Sequence, residues 1–561
     1  MMWTLCITGS LAAQTPLPIP DTLSGATLDL TILEGTWAFH AGEPVPTYGY
    51  NGNLLGPTLI LHKDQEVTIN VTNELEDLTT THWHGLHVSP ANDGGPHSMI
   101  MPMTTWSPHF TVMDRAGTYW YHPHGIGLTD YQVSKGLAGL IIVRDAEEAV
   151  LALPRTYGMD DVPLIFQTKP IVNGEIMLHT GLDSVVIANG VRNAWRELPA
   201  QVVRLRCLNG SDERTFLLGL NNGMGFQVIA TDGGLLQAPV ELQRVRLMPG
   251  ERVELLLDLT AMEGSSFQLM SYSSELPNGI LGSPQVGDGN ANLEGYNENA
   301  LNGSDYTLIS FTVGAQTNDP ITTLPTSLVP MNTLNEGDAD RTRSFTFEPV
   351  TAGPMGLIEG PFAINGATMD MGVINETVPL GSTEIWSFTN NTMSGHPFHV
   401  HGVQFNILDR NGDAPDPWET GWKDVVYVPP MGNARVIIHF ADFADPDMPY
   451  MYHCHMLMHE DEGMMGQFVV VDPNGVAELA IQKMTVQPNP CSDVITIQVH
   501  ATGPLRILLR DATGRTVRRE EHQMTDAAAQ MDVHDIAAGT YLLSITDRSG
   551  HPSTRKVIIT H

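Results

Sequence analysis

Cysteine is scarce in this chain, as are positive charge, long apolar runs and helical periodicity. Four Cys in 561 residues exclude a disulfide scaffold. Cys207, inside the run Val202-Val203-Arg204-Leu205-Arg206-Cys207-Leu208, reads as a small core hydrophobe, and Cys491 has no evident partner. Lys and Arg total 28 against 63 Asp and Glu, a formal net charge of −35. Such a field repels nucleic acid and anionic lipid, so neither is expected as a partner, and the acidity itself speaks for solubility rather than chemistry. No stretch holds the roughly eighteen unbroken apolar residues that a membrane-spanning helix needs. The short apolar run from Trp3 to Ala13 ends in Leu-Ala-Ala-Gln, as an export signal cut after small residues would, although no Lys or Arg precedes it. Residues 1–14 are therefore expected to be a signal peptide, which would carry Cys6 away. A helical pattern is suggested only around Asp442 to Asp445.

What is present in quantity is turn formers, 53 Gly and 38 Pro, between short apolar runs such as Leu59-Ile60-Leu61 and Glu66-Val67-Thr68-Ile69-Asn70-Val71. Period-two alternation bounded by Gly, Pro and Asn is the pattern of β-sandwiches. It recurs in three blocks, residues 21–148, 149–316 and 343–473, the last two separated by a Thr- and Pro-rich linker, 317–342. A fourth, smaller β module spans 480–561, with runs at Val494 to Val499, Leu505 to Leu509 and Tyr541 to Ile545. The expected class is all-β.

Four clusters hold ten of the 22 His: His82-Trp83-His84, His122-Pro123-His124, His396-Pro397-Phe398-His399-Val400-His401, and His453-Cys454-His455 followed by His459 and Met464. Residues two apart on a strand share a face, so each His-x-His pair directs two imidazoles toward one metal cluster. Pairing alone does not name the metal, because imidazole suits copper, zinc, iron and nickel alike. Cys454 faces away from His453 and His455, and therefore serves a different metal from theirs. By the same parity His396 lies opposite His399 and His401, on the side of Cys454. Two imidazoles, a thiolate and a thioether from His396, Cys454, His459 and Met464 are the donor set of a blue-copper electron-transfer site. The other eight imidazoles suffice for about three coppers at two or three each, a cluster able to reduce dioxygen. His87, His97 and His109 belong to no motif and receive no role.

With these clusters the chain resembles the multicopper oxidase family, specifically the bacterial three-domain kind that includes laccases, copper-efflux oxidases and bilirubin oxidases. The resemblance extends over about Thr27 to Asp472 and includes Asp93-Gly94-Gly95-Pro96, Leu208-Asn209-Gly210, Thr231-Asp232-Gly233-Gly234, Gly421-Trp422-Lys423-Asp424 and His459-Glu460-Asp461. It implies three cupredoxin-like β-sandwich domains and four copper ions. His396, Cys454, His459 and Met464 would hold the type 1 copper. His82 and His399 would hold type 2, and His84, His122, His124, His401, His453 and His455 the type 3 pair. Asp93 and Glu460 are candidates to relay protons to dioxygen, with orientation of the ligand imidazoles as their alternative role.

The resemblance implies one-electron oxidation of a small reducing substrate coupled to four-electron reduction of dioxygen to water, by a monomer. Copper-efflux relatives carry soft or anionic ligands where this chain aligns Phe347, Ala352, Thr392 and Ser394, so a laccase-like donor, a phenol or aromatic amine, is expected ahead of cuprous ion. The alternating Met99-Ile100-Met101-Pro102-Met103 is more readily gap-filling than metal-binding. A non-catalytic copper-binding or scaffold protein is the alternative from another class. The last module, with Val486-Gln487-Pro488-Asn489-Pro490, Ala538-Gly539-Thr540-Tyr541-Leu542 and Lys556-Val557-Ile558-Ile559, resembles the C-terminal sorting domain of type IX secretion. That implies secretion machinery as a partner and a secreted or cell-surface location, with the periplasm as the alternative.

Overall fold

The computed structural model describes residues 14–40, 42–178, 183–287, 295–353, 356–473, 485–498, 503–511, 515–524, 528–546 and 552–560. The expected signal peptide lies, apart from Gln14, outside these residues. Alternation of exposed and buried positions builds the strands: Glu66–Asn73 and Ser266–Tyr272 each bury every second side chain.

Up to Val471 the chain forms one compact unit containing three pairs of β-sheets. The first pair sets a five-stranded sheet, which includes His82–His84 and Gly117–His122, against a second five-stranded one built on Thr27–His40 and Glu66–Asn73. Ile69, Val71, Leu59, Ile141 and Trp83 are wholly buried in its core. In the second pair both sheets are six-stranded, and Thr15–Pro16 joins one edge by parallel pairing with Ala194–Pro199. Its strand Val202–Asn209 is buried on both faces. Val203, Leu205 and Cys207 enter the apolar core, as expected for Cys207, while Arg204 and Arg206 turn the other way into ion pairs with Glu254 and Asp161. In the third pair Asp445–Cys454 and His396–Val400 are neighbours in one five-stranded sheet, over a core of Phe345, Trp386, Phe398 and Phe468.

The helical reading of Asp442 to Asp445 is wrong. Phe443 has φ +55°, which ends any helical turn, and Asp445 already begins a strand. Helices are short, the longest among the described residues being Thr129–Lys135. None of the described helices is long and apolar enough to cross a membrane.

The second unit, from Asp472, has a three-stranded and a four-stranded sheet among its described residues. Ile495, Ile497, Ile507, Leu509, Met531, Leu543, Ile545 and Val557 fill its core, and Cys491 is buried among them as a free thiol.

Candidate metal centre

Strand pairing brings the four histidine clusters together. His82 lies opposite His122 in one sheet, and His399 opposite His453 in another. The eight imidazoles of His82, His84, His122, His124, His399, His401, His453 and His455 meet with at most 1% exposure each. Three groupings emerge from the ring nitrogens.

In the first, the Nε2 atoms of His124, His401 and His453 lie 3.0–3.2 Å from one another. Their Nδ1 atoms face acceptors: His401 donates to Asp93 Oδ2 at 2.8 Å, His453 to the Cys454 carbonyl at 3.0 Å, and His124 stands 3.4 Å from Glu460 Oε1. With the protons on Nδ1, three lone pairs point at one another in a dry space. In the second, His84 Nδ1 faces His122 Nε2 at 3.4 Å and His455 Nε2 at 3.2 Å. There His122 Nδ1 donates to Pro123 O at 2.8 Å, and His84 Nε2 donates to Asp424 Oδ1 at 3.1 Å. In the third, His82 Nδ1 donates to Asp93 O at 2.9 Å and His399 Nδ1 to Asp424 O at 2.7 Å. That leaves both Nε2 atoms buried and without a protein partner.

Burial pushes His84, His122, His124, His399, His401 and His455 far below the ordinary imidazole value, so these rings are neutral. Converging neutral imidazole lone pairs repel unless a cation sits among them. The donor set therefore fits a cluster of metal ions and has no other evident use.

Across the strand a separate group forms. Cys454 Sγ lies 3.4 Å from His396 Nδ1 and 3.6 Å from His459 Nδ1. Backbone pairing from Cys454 N to Met464 O at 3.1 Å sets Met464, fully buried, beside them. Thr392 Oγ1 accepts from His396 Nε2 at 2.8 Å, which turns the lone pair of Nδ1 toward the sulfur. Phe362 stands edge-on to both imidazoles, with centroids 4.9 and 4.7 Å away, and helps to exclude water. Burial pushes the Cys454 thiol up, so a thiolate here requires a bound cation.

Besides Asp424 at His84, two further carboxylates touch the ligand imidazoles. Asp93 closes the short helix Pro90–Asp93, and Gly94 follows it at φ +80°, where a Cβ would meet Thr81 O at 1.8 Å, so only glycine lets the chain turn here. Through its carbonyl and Oδ2 Asp93 holds His82 and His401, while its Oδ1 has no hydrogen-bond partner. Glu460, on Leu457–Asp461, places Oε2 3.2 Å from His453 Nδ1 and Oε1 near His124. Burial alone would raise the Glu460 carboxyl, but the imidazoles of His124 and His453 beside it hold it below the usual carboxylate range.

Sequence reasoning missed Asp424 and Thr392 as partners of these rings. Asp424 stood within the quoted Gly-Trp-Lys-Asp motif, where a Lys-Asp pair ahead of the apolar Val425-Val426 was the available signal. Thr392 was read only for what it lacks as a copper ligand. Phe347, from the same comparison, packs on His396 at 5.7 Å, and Ser394 Oγ donates to Ile358 O at 2.7 Å. The unassigned His87, His97 and His109 bond to Asp442, Gln467 and Thr68, away from both groups.

Two family models described as multicopper oxidase match residues 31–148 and 326–474, and the model of the secretion system C-terminal sorting domain matches 485–560. The chain is 32% identical over 449 residues to the multicopper oxidase mco of Staphylococcus haemolyticus, covering 78% of this chain and 87% of that protein. It is also 31% identical over 483 residues to the cell division protein FtsP of Photorhabdus laumondii, covering 84% and 95%. Among solved structures, the laccase-like multicopper oxidase CueO of Ochrobactrum sp. superposes with a TM-score of 0.72 at 34% identity, over 81% of this chain and all of that one. McoA of Aquifex aeolicus does so with a TM-score of 0.72 at 30% identity, over 82% of this chain and all of that one.

Proposed function

This chain belongs to the multicopper oxidase family, an all-β, cupredoxin-like oxidoreductase ending in a type IX sorting domain, and we propose that it is a laccase-like member that oxidises phenols or aromatic amines. Four copper ions are the expected complement. His396, Cys454, His459 and Met464 would hold type 1, His82 and His399 type 2, and His84, His122, His124, His401, His453 and His455 the type 3 pair. Copper held by these residues would supply one-electron oxidation of a donor and four-electron reduction of dioxygen to water. The observation that carries this reading is the placement of Cys454 against one donor group while His453 and His455, its direct neighbours, belong to the other. One strand thus connects donor oxidation and dioxygen reduction covalently.

The chain's own residues supply the rest. Asp93 orients His401 by accepting from Nδ1, and the Glu460 carboxylate, 3.2 and 3.4 Å from Nδ1 of His453 and His124, favours the proton on those nitrogens, which leaves Nε2 for metal. Asp93 Oδ1 and Glu460 Oε2 both lack a hydrogen-bond partner, so either carboxylate is placed to hold and release a proton at the cluster. For the donor, Phe347 and Thr392 pack on His396 and offer no soft ligand, which favours outer-sphere oxidation of an aromatic over capture of cuprous ion. In this reading the chain divides into domains at 21–148, 149–316 and 343–473; the three sheet pairs support the division, with Thr15–Pro16 added to the second pair and the third pair's first strand beginning at Arg341. The protein is exported through its sorting domain and acts as a monomer in the medium or at the cell surface.

Oxygen uptake by the copper-loaded protein, with a simple phenol and with cuprous ion as alternative donors, tests the reading. Faster uptake with the phenol is expected. Faster uptake with cuprous ion would replace it with a cuprous oxidase, the Met99 to Met103 segment being the first suspect, since Met99, Met101 and Met103 are 40%, 54% and 72% exposed. A second reading is a non-catalytic copper-binding or scaffold protein, kept in view because the chain is also similar to a protein named for cell division rather than for oxidation. Full copper content with no oxygen uptake from any donor would establish it.

A further inference from the structure

The second pair of sheets supplies none of the metal-binding residues, yet its charges reach the cluster. Arg252 begins the strand Arg252–Asp258 and is fully buried. Its guanidinium lies fork-on against Asp424, with Nη1 2.7 Å from Oδ1 and Nη2 2.5 Å from Oδ2. The remaining N–H groups donate to Thr118 O at 3.2 Å, Gly250 O at 2.9 Å and Asp232 O at 3.0 Å. All five donors of the guanidinium are therefore engaged, which fixes its plane. Lys423, next to Asp424 in the chain, is held in turn by Asp232 and Glu251, each 2.9 Å from Nζ and each buried.

Held in this way, Asp424 determines the orientation of two rings. Its Oδ1 accepts from His84 Nε2 at 3.1 Å and its carbonyl from His399 Nδ1 at 2.7 Å. His84 alone among the eight cluster imidazoles presents Nδ1 to its partners, and the Asp424 carboxylate is the reason. Asp424 also lies within reach of a metal held by His84 and His399. Its Oδ1, however, already accepts from both Arg252 Nη1 and His84 Nε2, and the role assigned to Asp424 is to orient the rings rather than to bind metal.

We propose that Arg252 and Asp424 are positioning residues for the trinuclear copper site: the Arg252 fork fixes Asp424, and Asp424 selects the nitrogen that His84 and His399 present to copper. The second β-block, which contributes no ligand, thereby controls whether the cluster assembles. This inference rests on the ligand reading above.

The experiment compares Asp424→Asn, Arg252→Lys and, as a purely structural control, Leu255→Ala. Leu255 is buried on the same strand, in the apolar core, at a position that alternates away from Arg252 and Glu254. Each protein is loaded with copper and dialysed against a chelator. Copper per chain, the blue type 1 absorption and the type 2 electron paramagnetic resonance spectrum are then read. Asp424→Asn is expected to retain trinuclear copper about 10–100-fold less tightly, the usual loss when a ligand's hydrogen-bond partner is removed, while keeping the blue absorption. Arg252→Lys, which keeps the charge but not the fork, is expected to lie between wild type and Asp424→Asn and to shift the type 2 spectrum. Leu255→Ala is expected to melt earlier and retain its copper. Wild-type copper retention and an unchanged type 2 spectrum in either charge variant would overturn the proposal, as would equal copper loss in Leu255→Ala. If Asp424→Asn is insoluble, the Arg252→Lys spectrum decides. Wild-type protein that binds fewer than four coppers would instead overturn the ligand reading beneath it.

Discussion

Replacing Glu460 with Gln separates orientation of the cluster from delivery of protons to it. Glu460 is 1% exposed, and its two oxygens face Nδ1 of two different rings, 3.2 Å from His453 and 3.4 Å from His124. An amide can accept through only one atom and must turn an NH2 group toward the other ring. His453 keeps the Cys454 carbonyl at 3.0 Å as an acceptor, so the amide oxygen would go to His124, and the net loss is one charge-assisted hydrogen bond. At about 1.5–3 kcal/mol for such a bond, copper affinity of the His124, His401 and His453 group should fall roughly 10–150-fold. The assay is competitive removal of copper by a graded chelator, followed by turnover per remaining trinuclear cluster across pH. With orientation as the role, affinity falls and turnover per intact cluster keeps the wild-type pH profile. Unchanged affinity together with turnover that collapses as pH rises would refute this reasoning and make Glu460 a proton carrier.

Cys454→Ser should abolish the blue absorption and donor-driven oxygen uptake while leaving most of the trinuclear copper bound; a variant that stayed blue would remove Cys454 from the site. Thr392→Val is nearly isosteric and leaves His396 Nε2–H without its acceptor, which makes the imidazole a poorer donor to cupric ion. The type 1 potential should rise by tens of millivolts, on a scale of about 59 mV per 1.4 kcal/mol for one electron, and an unchanged or lower value in redox titration would refute the assignment of that hydrogen bond. Acid stability tests the buried ions of the second block. Burial alone would raise the Asp161 carboxyl, but Arg206 and Arg204 hold it at about 2, below the ordinary value of about 3.9. The difference, on the order of 2–3 kcal/mol, is present above the unfolded value and lost as pH falls through the folded one. The gap in urea midpoint between wild type and Asp161→Asn should therefore be widest near neutrality and close progressively below about pH 4; a constant gap would refute the sign.

The metal-binding residues could be read from sequence because their geometry is local. Two imidazoles on one face of a strand need only alternate positions, and the inversion that sets Cys454 against His453 and His455 follows from the same alternation. Strands were legible for the same reason, since Glu66–Asn73 shows its period in eight letters. Helices of four to seven residues, such as Pro90–Asp93 and Thr129–Lys135, complete too little of the 3.6-residue repeat to register. What holds the imidazoles in place was not legible, because it comes from far along the chain. His84 and Asp424 are 340 residues apart, and Arg252 and Asp424 are 172. Thr392 lies only four residues from His396, yet any hydroxyl in a loop could bond elsewhere, and only the fold shows that this one caps Nε2.

The distribution of positive charge gives the acidic composition a structural consequence. With 28 Lys and Arg in the chain, the cations at Arg204, Arg206, Arg214, Arg252 and Lys423 are all buried in ion pairs. Removing one partner from such a pair costs about 3–5 kcal/mol, whereas an exposed pair is worth about 1 kcal/mol or less. These interior cations therefore act locally, on the carboxylates that face them. In the Arg252 and Lys423 network those carboxylates include Asp424, whose hydrogen bonds reach His84 and His399. At the surface the excess of acid favours solubility and repels polyanions, while the inside uses its few cations to hold polar side chains in single orientations.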